Sequence, residues 1–214
     1  MTAIDRFLRY VTYDTQSDEH SDANPLHRQA ERCWAQPWPR SWPRWGCTRH
    51  MDEYGYVYAW LPATAGARES RAWALSPHGH LPRRAGGGGE APRCPLRGGD
   101  LVLNQEKGIV TSLKDFPDLA GQVGKDLVVT DGTTLLGADD KAGIAEILTA
   151  MEHLLAHPER PHGRVAVCFT PDEEVGCGTK CFDLKPSARI SPTRWTATTW
   201  ARSAMKTSTP PPRW

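Results

Sequence analysis

The sequence predicts an α/β fold in which a mixed sheet is flanked by helices. The clearest element is a helix whose apolar residues recur at helical spacing and form one stripe. A proline, Pro158, ends this helix, and the apolar run RVAVCFT, Arg164 to Thr170, follows after a short connection as a strand. The stripe consists of Ile144, Ile147, Leu148, Met151, Leu154 and Leu155.

Weaker patterns predict further elements on the amino-terminal side of that helix. Apolar residues at Ile4, Phe7, Leu8 and Val11 have the spacing of an opening amphipathic helix. The segment MDEYGYVYAWLP is rich in aromatic and β-branched residues and predicts a strand from about Tyr56 to Leu61. The short apolar runs in GGDLVLN and KDLVVTDG are bounded by Gly and Asp and suit strands.

Two blocks interrupt this pattern, and we predict irregular or disordered structure for both. The first, about 26–49, contains WAQPWPRSWPRWG, in which prolines break helices and no strand alternation appears. The second, about 77–97, is rich in Gly, Pro and Arg with little apolar content. The tail after Leu184 has no periodic pattern either.

Composition excludes several classes of function. The chain has 214 residues and a formal net charge of +1, so its charge gives no reason to expect nucleic acid or a membrane as a partner. The amino terminus lacks an apolar run of signal-peptide length, and no stretch is apolar enough to span a bilayer. We therefore expect a cytoplasmic protein.

The six cysteines are irregularly spaced, and free thiols are the expected state in the cytoplasm. Cys177 and Cys181 form a C-x3-C pair. No second pair completes four ligands, so the sequence favours thiols over a structural zinc site.

Two acidic clusters carry the chemistry of the sequence. TTLLGADDKAG, 133–143, places Asp139 and Asp140 where a loop opens the predicted helix, and TPDEEVG, 170–176, places Glu173 and Glu174 after the predicted strand. Taken singly, an Asp pair at a helix start is usually a cap, and a Glu pair after a strand is usually solvated surface. Taken together, they suggest a metal-dependent hydrolase.

TQSD near the start, GADDKAGIAEI and FTPDEEVG at these separations resemble the peptidase T family of two-zinc metallo-exopeptidases. The resemblance covers roughly Ile4 to Asn24, Met51 to Ser76 and Gly98 to Leu184. It implies that 1–184 is the amino-terminal part of a zinc-exopeptidase catalytic domain, that 185–214 is a tail unlike the family, and that the family's dimerisation domain is absent from this sequence.

The resemblance also implies roles for individual residues. Asp139 would bridge two zinc ions, Glu174 would bind one of them, and Glu173 would be the general base that takes a proton from the attacking water. His78 is a further candidate zinc ligand. The family's peptide bond after the bridging aspartate is cis, which here is Asp139-Asp140.

The sequence departs from the family at two motifs. The family's S-H-x-D-T-S-P is replaced by SPHGHLP, so that His80 stands where an aspartate would orient the histidine ligand. The family's later V-D-G is also missing, and TRWTATTW stands in the tail. Synonymous codons for both segments, read one or two bases further on, restore the missing motifs. We therefore hypothesise that the gene reads out of frame in blocks.

The resemblance implies a zinc-dependent aminopeptidase that releases the N-terminal residue of tripeptides, with a small peptide as its substrate. For this polypeptide we expect little or no activity and poor stability. The ligand-orienting aspartate is lost, and so are an amphipathic helix expected from the resemblance in the first irregular block and the family's segment beyond Leu184. Two alternatives remain open. One is another zinc exopeptidase or amidohydrolase of the same family, and the other is a non-catalytic metal-binding or interaction fragment.

Overall fold

The computed structural model describes residues 1–13, 15, 48–65, 71–78, 93–171, 173–178 and 180–181. Two helices and eight strands are numbered here in chain order. The helices are α1 (Ala3–Tyr10) and α2 (Ala138–Ala156). The strands are β1 (Thr48–Met51), β2 (Val57–Leu61), β3 (Arg71–His78), β4 (Arg93–Pro95), β5 (Leu101–Asn104), β6 (Ile109–Thr111), β7 (Asp126–Val128) and β8 (Arg164–Pro171).

The central sheet is mixed and has the strand order β1-β2-β8-β3. β2 pairs with both β1 and β8 in antiparallel fashion, whereas β3 runs parallel to β8. The register places Val57 opposite Phe169 and His78 opposite Pro171. β8 is thus an interior strand, and its burial fits the near-continuous apolar run that predicted it.

One face of this sheet is covered by both helices. α1 packs against α2, and α2 packs against β3. The buried cluster they enclose is apolar because the stripes of both helices face the strands. Its buried members are Phe7, Tyr10, Val11, Val57, Ala59, Leu61, Ile144, Ala145, Leu148, Met151, Val167 and Phe169. The Arg6 guanidinium, 1% exposed, donates across the helix pair to Glu152 at 2.6 Å.

The opposite face of the sheet carries an aromatic row. Tyr58 stacks between Tyr56 and Trp60, with ring centroids 6.4 and 6.2 Å apart, and His50 of β1 stacks on Tyr58 at 6.5 Å. The Tyr56 hydroxyl accepts a hydrogen bond from the Cys181 backbone N–H. This bond links β2 to the segment after β8.

Between β3 and α2 the described chain forms two small antiparallel pairs. β4 pairs with β7, and β5 pairs with β6 with an irregularity between Val102 and Asn104. A 3-10 turn, Pro117–Gln122, lies between these pairs in sequence. The pairs are short and largely exposed, so the buried core lies in the central sheet and its helices.

The α/β fold with a mixed sheet and flanking helices is confirmed, and so are the predicted opening helix, the strand ending at Leu61, the patterned helix and the strand before the acidic cluster. The predicted irregular blocks need correction at their ends. β1 begins at Thr48, β3 extends to His78, and β4 occupies Arg93–Pro95. Backbone pairing to β2, β8 and β7 gives these segments strand structure despite their composition.

The remainder of those blocks, 26–47 and 79–92, lies outside the described residues, as does the tail 185–214. The predictions for these segments therefore stay predictions. None of the helices within the described ranges combines the length and the apolar character needed to cross a membrane.

Candidate active site

The candidate site lies where β3 and β8 end side by side. Because the two strands are parallel, their carboxyl ends meet at one edge of the sheet, called here the carboxyl edge. His78, the last residue of β3, stands opposite Pro171, the last residue of β8. A 3-10 turn, Glu173–Val175, follows β8 and contacts β3. The backbone therefore brings His78 and both predicted glutamates to this edge.

The direction of α2 brings the aspartates to the same edge. The helix ends at Ala156, and the short segment 157–163 connects it to Arg164, the first residue of β8. The last residues of α2 therefore lie near the amino end of β8, where the chain turns back. α2 runs antiparallel to that strand. Its 19 residues span about 28 Å, close to the roughly 26 Å of the eight-residue strand. Asp139 thus lies at the end of the helix that faces the carboxyl edge.

The backbone at the start of α2 is not helical at the two aspartates. Asp139 has φ −85° and ψ 108°, and Asp140 has φ −121° and ψ 34°. The peptide bond between them is cis, as the resemblance to the zinc exopeptidases implied. Gly137 precedes them with φ 68° and ψ 33°, a left-handed conformation that favours glycine. This turn sets the two adjacent carboxylates in different surroundings.

Asp140 has a structural role. It is buried, and its carboxylate accepts a hydrogen bond of 3.1 Å from the Gly143 N–H, one of the donors left open at a helix start. An Asp at the start of a helix usually has this capping role. Asp139, in contrast, is exposed, and its carboxylate forms no hydrogen bond or ion pair with the described part of the chain. Asp139 is therefore the aspartate available to a ligand.

Glu173 is also exposed, at the start of the turn that follows β8. Its backbone carbonyl accepts from the Gly176 N–H at 2.8 Å, which closes the turn. The buried Gly178 packs directly on it, and a Cβ added at Gly178 would lie 3.0 Å from the Glu173 Cα and Cβ. The close approach of Glu173 thus leaves no room for a side chain at position 178.

Lys141, the lysine of the ADDKAG motif, is 3% exposed. Its ammonium donates to the Tyr13 carbonyl oxygen, just beyond α1, at 2.8 Å. The lysine therefore lies against the amino-terminal helix, inside the protein, instead of extending into solvent.

The donors at the carboxyl edge suit zinc in their chemistry, since carboxylate oxygen and imidazole nitrogen are both common zinc ligands. The exposed carboxylates of Asp139 and Glu173 fit such a site. The side chains of His78 and Glu174 lie outside the described residues. Among the side chains that are described, no three His, Cys, Asp or Glu groups form a metal cluster. The predicted ligand set of Asp139, Glu174 and His78 therefore stays a prediction.

The cysteines add nothing to this site. Among the described cysteines, Cys94, Cys168, Cys177 and Cys181 are free thiols. Burial raises the pKa of the Cys168 thiol far above its ordinary value, so that this residue of β8 stays protonated in the core.

Two residues near the site were not predicted from the sequence. Nothing in the spacing of Gly178 signals that it packs on Glu173. Lys141 stands in the motif, but a lysine after two aspartates is equally typical of an exposed helix start, so its burial gave no signal.

Comparison with known proteins finds a family model that matches the part of the chain around the candidate site. Residues 129–186, which contain both acidic clusters, match the model of Peptidase family M20/M25/M40. This segment is similar to that family. The M20 match covers the cis peptide turn, α2, β8 and the turn at Glu173, which are the elements that build the carboxyl edge.

Relatives of the whole chain are named peptidase T. The protein from Clostridium novyi (strain NT) is 41% identical over 187 residues, covering 85% of this chain and 45% of the relative. The one from Geobacillus thermodenitrificans (strain NG80-2) is 45% identical over 183 residues, covering 85% and 44%. The resemblance to the peptidase T family is confirmed, and the chain spans less than half the length of these relatives.

A solved structure supports the fold. The aminopeptidase PepT from Bacillus cereus ATCC 10987 superposes with a TM-score of 0.53 at 20% sequence identity, covering 91% of this chain and 41% of that one. At this level of identity the likeness shows the fold alone, which is like that of the M20 peptidases. The chain corresponds to 41% of the solved structure.

Proposed function

We propose that this chain carries part of the site of a zinc-dependent aminopeptidase that releases the N-terminal residue of tripeptides. One observation carries the proposal. The two motif aspartates are divided between roles, with Asp140 buried in a helix cap and Asp139 exposed at the end of α2 that lies toward the carboxyl edge. An exposed carboxylate that has no partner within the described residues can bind a cation, and carboxylate oxygen is a common zinc ligand. The peptidase T relatives support the reaction class.

In this proposal each residue has one task. Asp139, Glu174 and His78 would hold two zinc ions, with Asp139 shared between them. When bound, zinc polarises the peptide carbonyl and makes a water molecule easier to deprotonate. Glu173 would accept that proton at a carboxylate oxygen and pass it to the leaving amine.

The substrate would be a small peptide with a free amino terminus, and the cytoplasm is the expected location. We expect this polypeptide to have little or no activity as it stands. His80 occupies the position at which an aspartate would orient His78, and loss of such a supporting group typically lowers metal affinity about 10- to 100-fold.

The deciding experiment restores that one group. Zinc affinity and tripeptide cleavage are measured for the chain, for His80→Asp, and for His80→Asp combined with Glu173→Gln. We expect His80→Asp to bind zinc about 10- to 100-fold more tightly than the starting chain. We also expect it to release free N-terminal residue, and the added Glu173→Gln to abolish release while zinc still binds.

Substrate arms separate the related activities. An N-acetylated tripeptide, an acylated amino acid and an unblocked tripeptide are offered side by side. Cleavage of the unblocked tripeptide alone fits the proposal, whereas cleavage of a blocked substrate favours the other zinc hydrolases of the family. The proposal is wrong if the starting chain and His80→Asp both fail to bind zinc and both fail to cleave any of these substrates.

The nucleotide sequence tests the frameshift hypothesis on its own. Translation in all three frames should restore S-H-x-D near His78 and V-D-G in the tail. If neither motif appears, the two departures from the family are genuine substitutions of this protein.

A further inference from the structure

A buried lysine joins the amino-terminal helix to the site turn. The Lys141 ammonium lies 2.8 Å from the Tyr13 carbonyl oxygen, and the side chain is 3% exposed. A lysine loses a large hydration energy when it is buried, so its position inside the protein requires compensating polar contacts. The hydrogen bond to Tyr13 is one such contact, so the position of Lys141 is tied to the segment after α1.

The lysine also touches the residue that begins the turn. A Cβ added at Gly137 would lie 3.2 Å from the Lys141 Nζ and 3.7 Å from its Cδ and Cε. The side chain of Lys141 therefore folds back over Gly137, and the left-handed glycine leaves room for it. The turn Gly137–Asp140 is covered from the side of α1.

The backbone is consequently restrained on both sides of Asp139, at Gly137 and at Asp140. Before it, the backbone at Gly137 lies against the Lys141 side chain. After it, Asp140 is fixed by the hydrogen bond from the Gly143 N–H. Asp139 itself forms no such bond with the described residues, so the direction of its carboxylate depends on these two contacts.

The docking of α1 has a separate support. Near the other end of α2, Glu152 accepts from the buried Arg6 at 2.6 Å, and Phe7 and Tyr10 pack into the core. α1 would thus stay on α2 without Lys141. The lysine adds a contact at the turn that carries Asp139.

We infer that Lys141 is a positioning residue that fixes the Asp139 turn against the end of α1. What Asp139 then does rests on the proposed function, whereas the positioning itself does not. The amino-terminal segment becomes part of the site because the residues just beyond α1 provide the acceptor, the Tyr13 carbonyl. A ligand at Asp139 and the docking of α1 would therefore strengthen each other.

The test compares Lys141→Met with Glu152→Ala by backbone hydrogen exchange. Lys141→Met keeps the length of the side chain and removes the ammonium, while Glu152→Ala breaks a polar contact between α1 and α2 that lies away from the turn. We expect Lys141→Met to speed exchange about tenfold or more within residues 139–143 and to leave residues 150–156 unchanged. Glu152→Ala should show the reverse.

Zinc titration of the same two variants in the His80→Asp background measures whether the position of the Asp139 turn affects the affinity for zinc. Lys141→Met should weaken zinc binding by about tenfold, and Glu152→Ala should not. If Lys141→Met leaves exchange at 139–143 unchanged, or loosens both helices evenly, Lys141 is an ordinary core contact and the inference is wrong. If zinc does not bind the parent chain, the proposed function fails, and the exchange result still decides the role of Lys141.

Discussion

The helix-covered core and the carboxyl edge treat charged residues in opposite ways. In the core, Arg6 donates to Glu152, Lys141 donates to Tyr13, and Asp140 accepts from Gly143. At the edge, Asp139 and Glu173 are exposed and have no such partners within the described chain. Burying a charge is costly, so each buried charge has a specific partner, whereas the exposed carboxylates stay available.

The difference shows how to interpret the acidic motif. Adjacent residues of the same type, Asp139 and Asp140, fall on the two sides of this boundary. The motif is therefore one capping group and one ligand candidate, and variants of the two residues should affect different properties.

The largest expected effect is in the core. Leu148 is 1% exposed, and Leu148→Ala should lower the free energy of unfolding by about 2–5 kcal/mol because it leaves a cavity under the sheet. Val102→Ala is the control, since Val102 is 56% exposed and should change stability by about 0.5 kcal/mol or less. Urea denaturation measures both, and equal losses would contradict the assignment of the core.

The next effect is at the edge itself. Gly178→Ala would force a methyl group against Glu173, and overpacking of this kind costs about 1–3 kcal/mol. Gly121→Ala is the matched control, because a Cβ there meets nothing within 4 Å. Urea midpoints give the stability change, and tripeptide cleavage in the His80→Asp background should fall only for Gly178→Ala. A harmless Gly178→Ala would show that Glu173 is not held by this contact.

A smaller effect separates the two aspartates. Asp140→Ala removes a cap and should cost about 1 kcal/mol of stability, while Asp139→Ala should change stability by about 0.5 kcal/mol or less. Zinc affinity in the His80→Asp background should respond in the opposite order, with the larger loss for Asp139→Ala. The same order in both measurements would remove the distinction between core and edge.

The smallest expected effect depends on pH and concerns the start of α1. The hydrogen bond from the Thr2 side chain, with further help from the Thr2 backbone, holds the pKa of Asp5 below its ordinary value of 3.8. A lowered pKa in the folded state stabilises the helix above 3.8, and that stability is lost as the pH falls through the folded value. NMR titration of the Asp5 carboxyl should show the shift, and Thr2→Val should move the pKa of Asp5 upward. An unchanged pKa in Thr2→Val would assign the shift to another cause.

Elements whose hydrophobic pattern extends over many residues were predictable from the sequence. The stripe from Ile144 to Leu155 and the apolar run before Thr170 predicted α2 and β8, and both lie where expected. β1, β3 and β4 were missed or cut short, because their strand structure comes from pairing with distant segments. Sequence patterns report the local period, and they carry no information on which strand a Trp- or Pro-rich segment will pair with.

The site was predictable as a motif and not as an arrangement. The resemblance of ADDKAG and PDEEVG to the family named Asp139 and Glu173 as candidates, and both are exposed in the folded chain. The burial of Lys141 and the packing of Gly178 arise from contacts with Tyr13 and Glu173, which depend on the folded chain. Nothing local to either residue distinguishes it from a surface lysine or a loop glycine.

The position of β8 between β2 and β3 has a consequence for how the protein is made. β2 and β3 are synthesised early, yet β8 is the strand to which both are hydrogen-bonded, and it emerges much later. Until then the nascent chain exposes unpaired strand edges and the aromatic row of β2, which are features that promote aggregation. Closure of the sheet is a long-range event and is expected to be slow. Chaperone dependence during translation should therefore end only when Pro171 has left the ribosome.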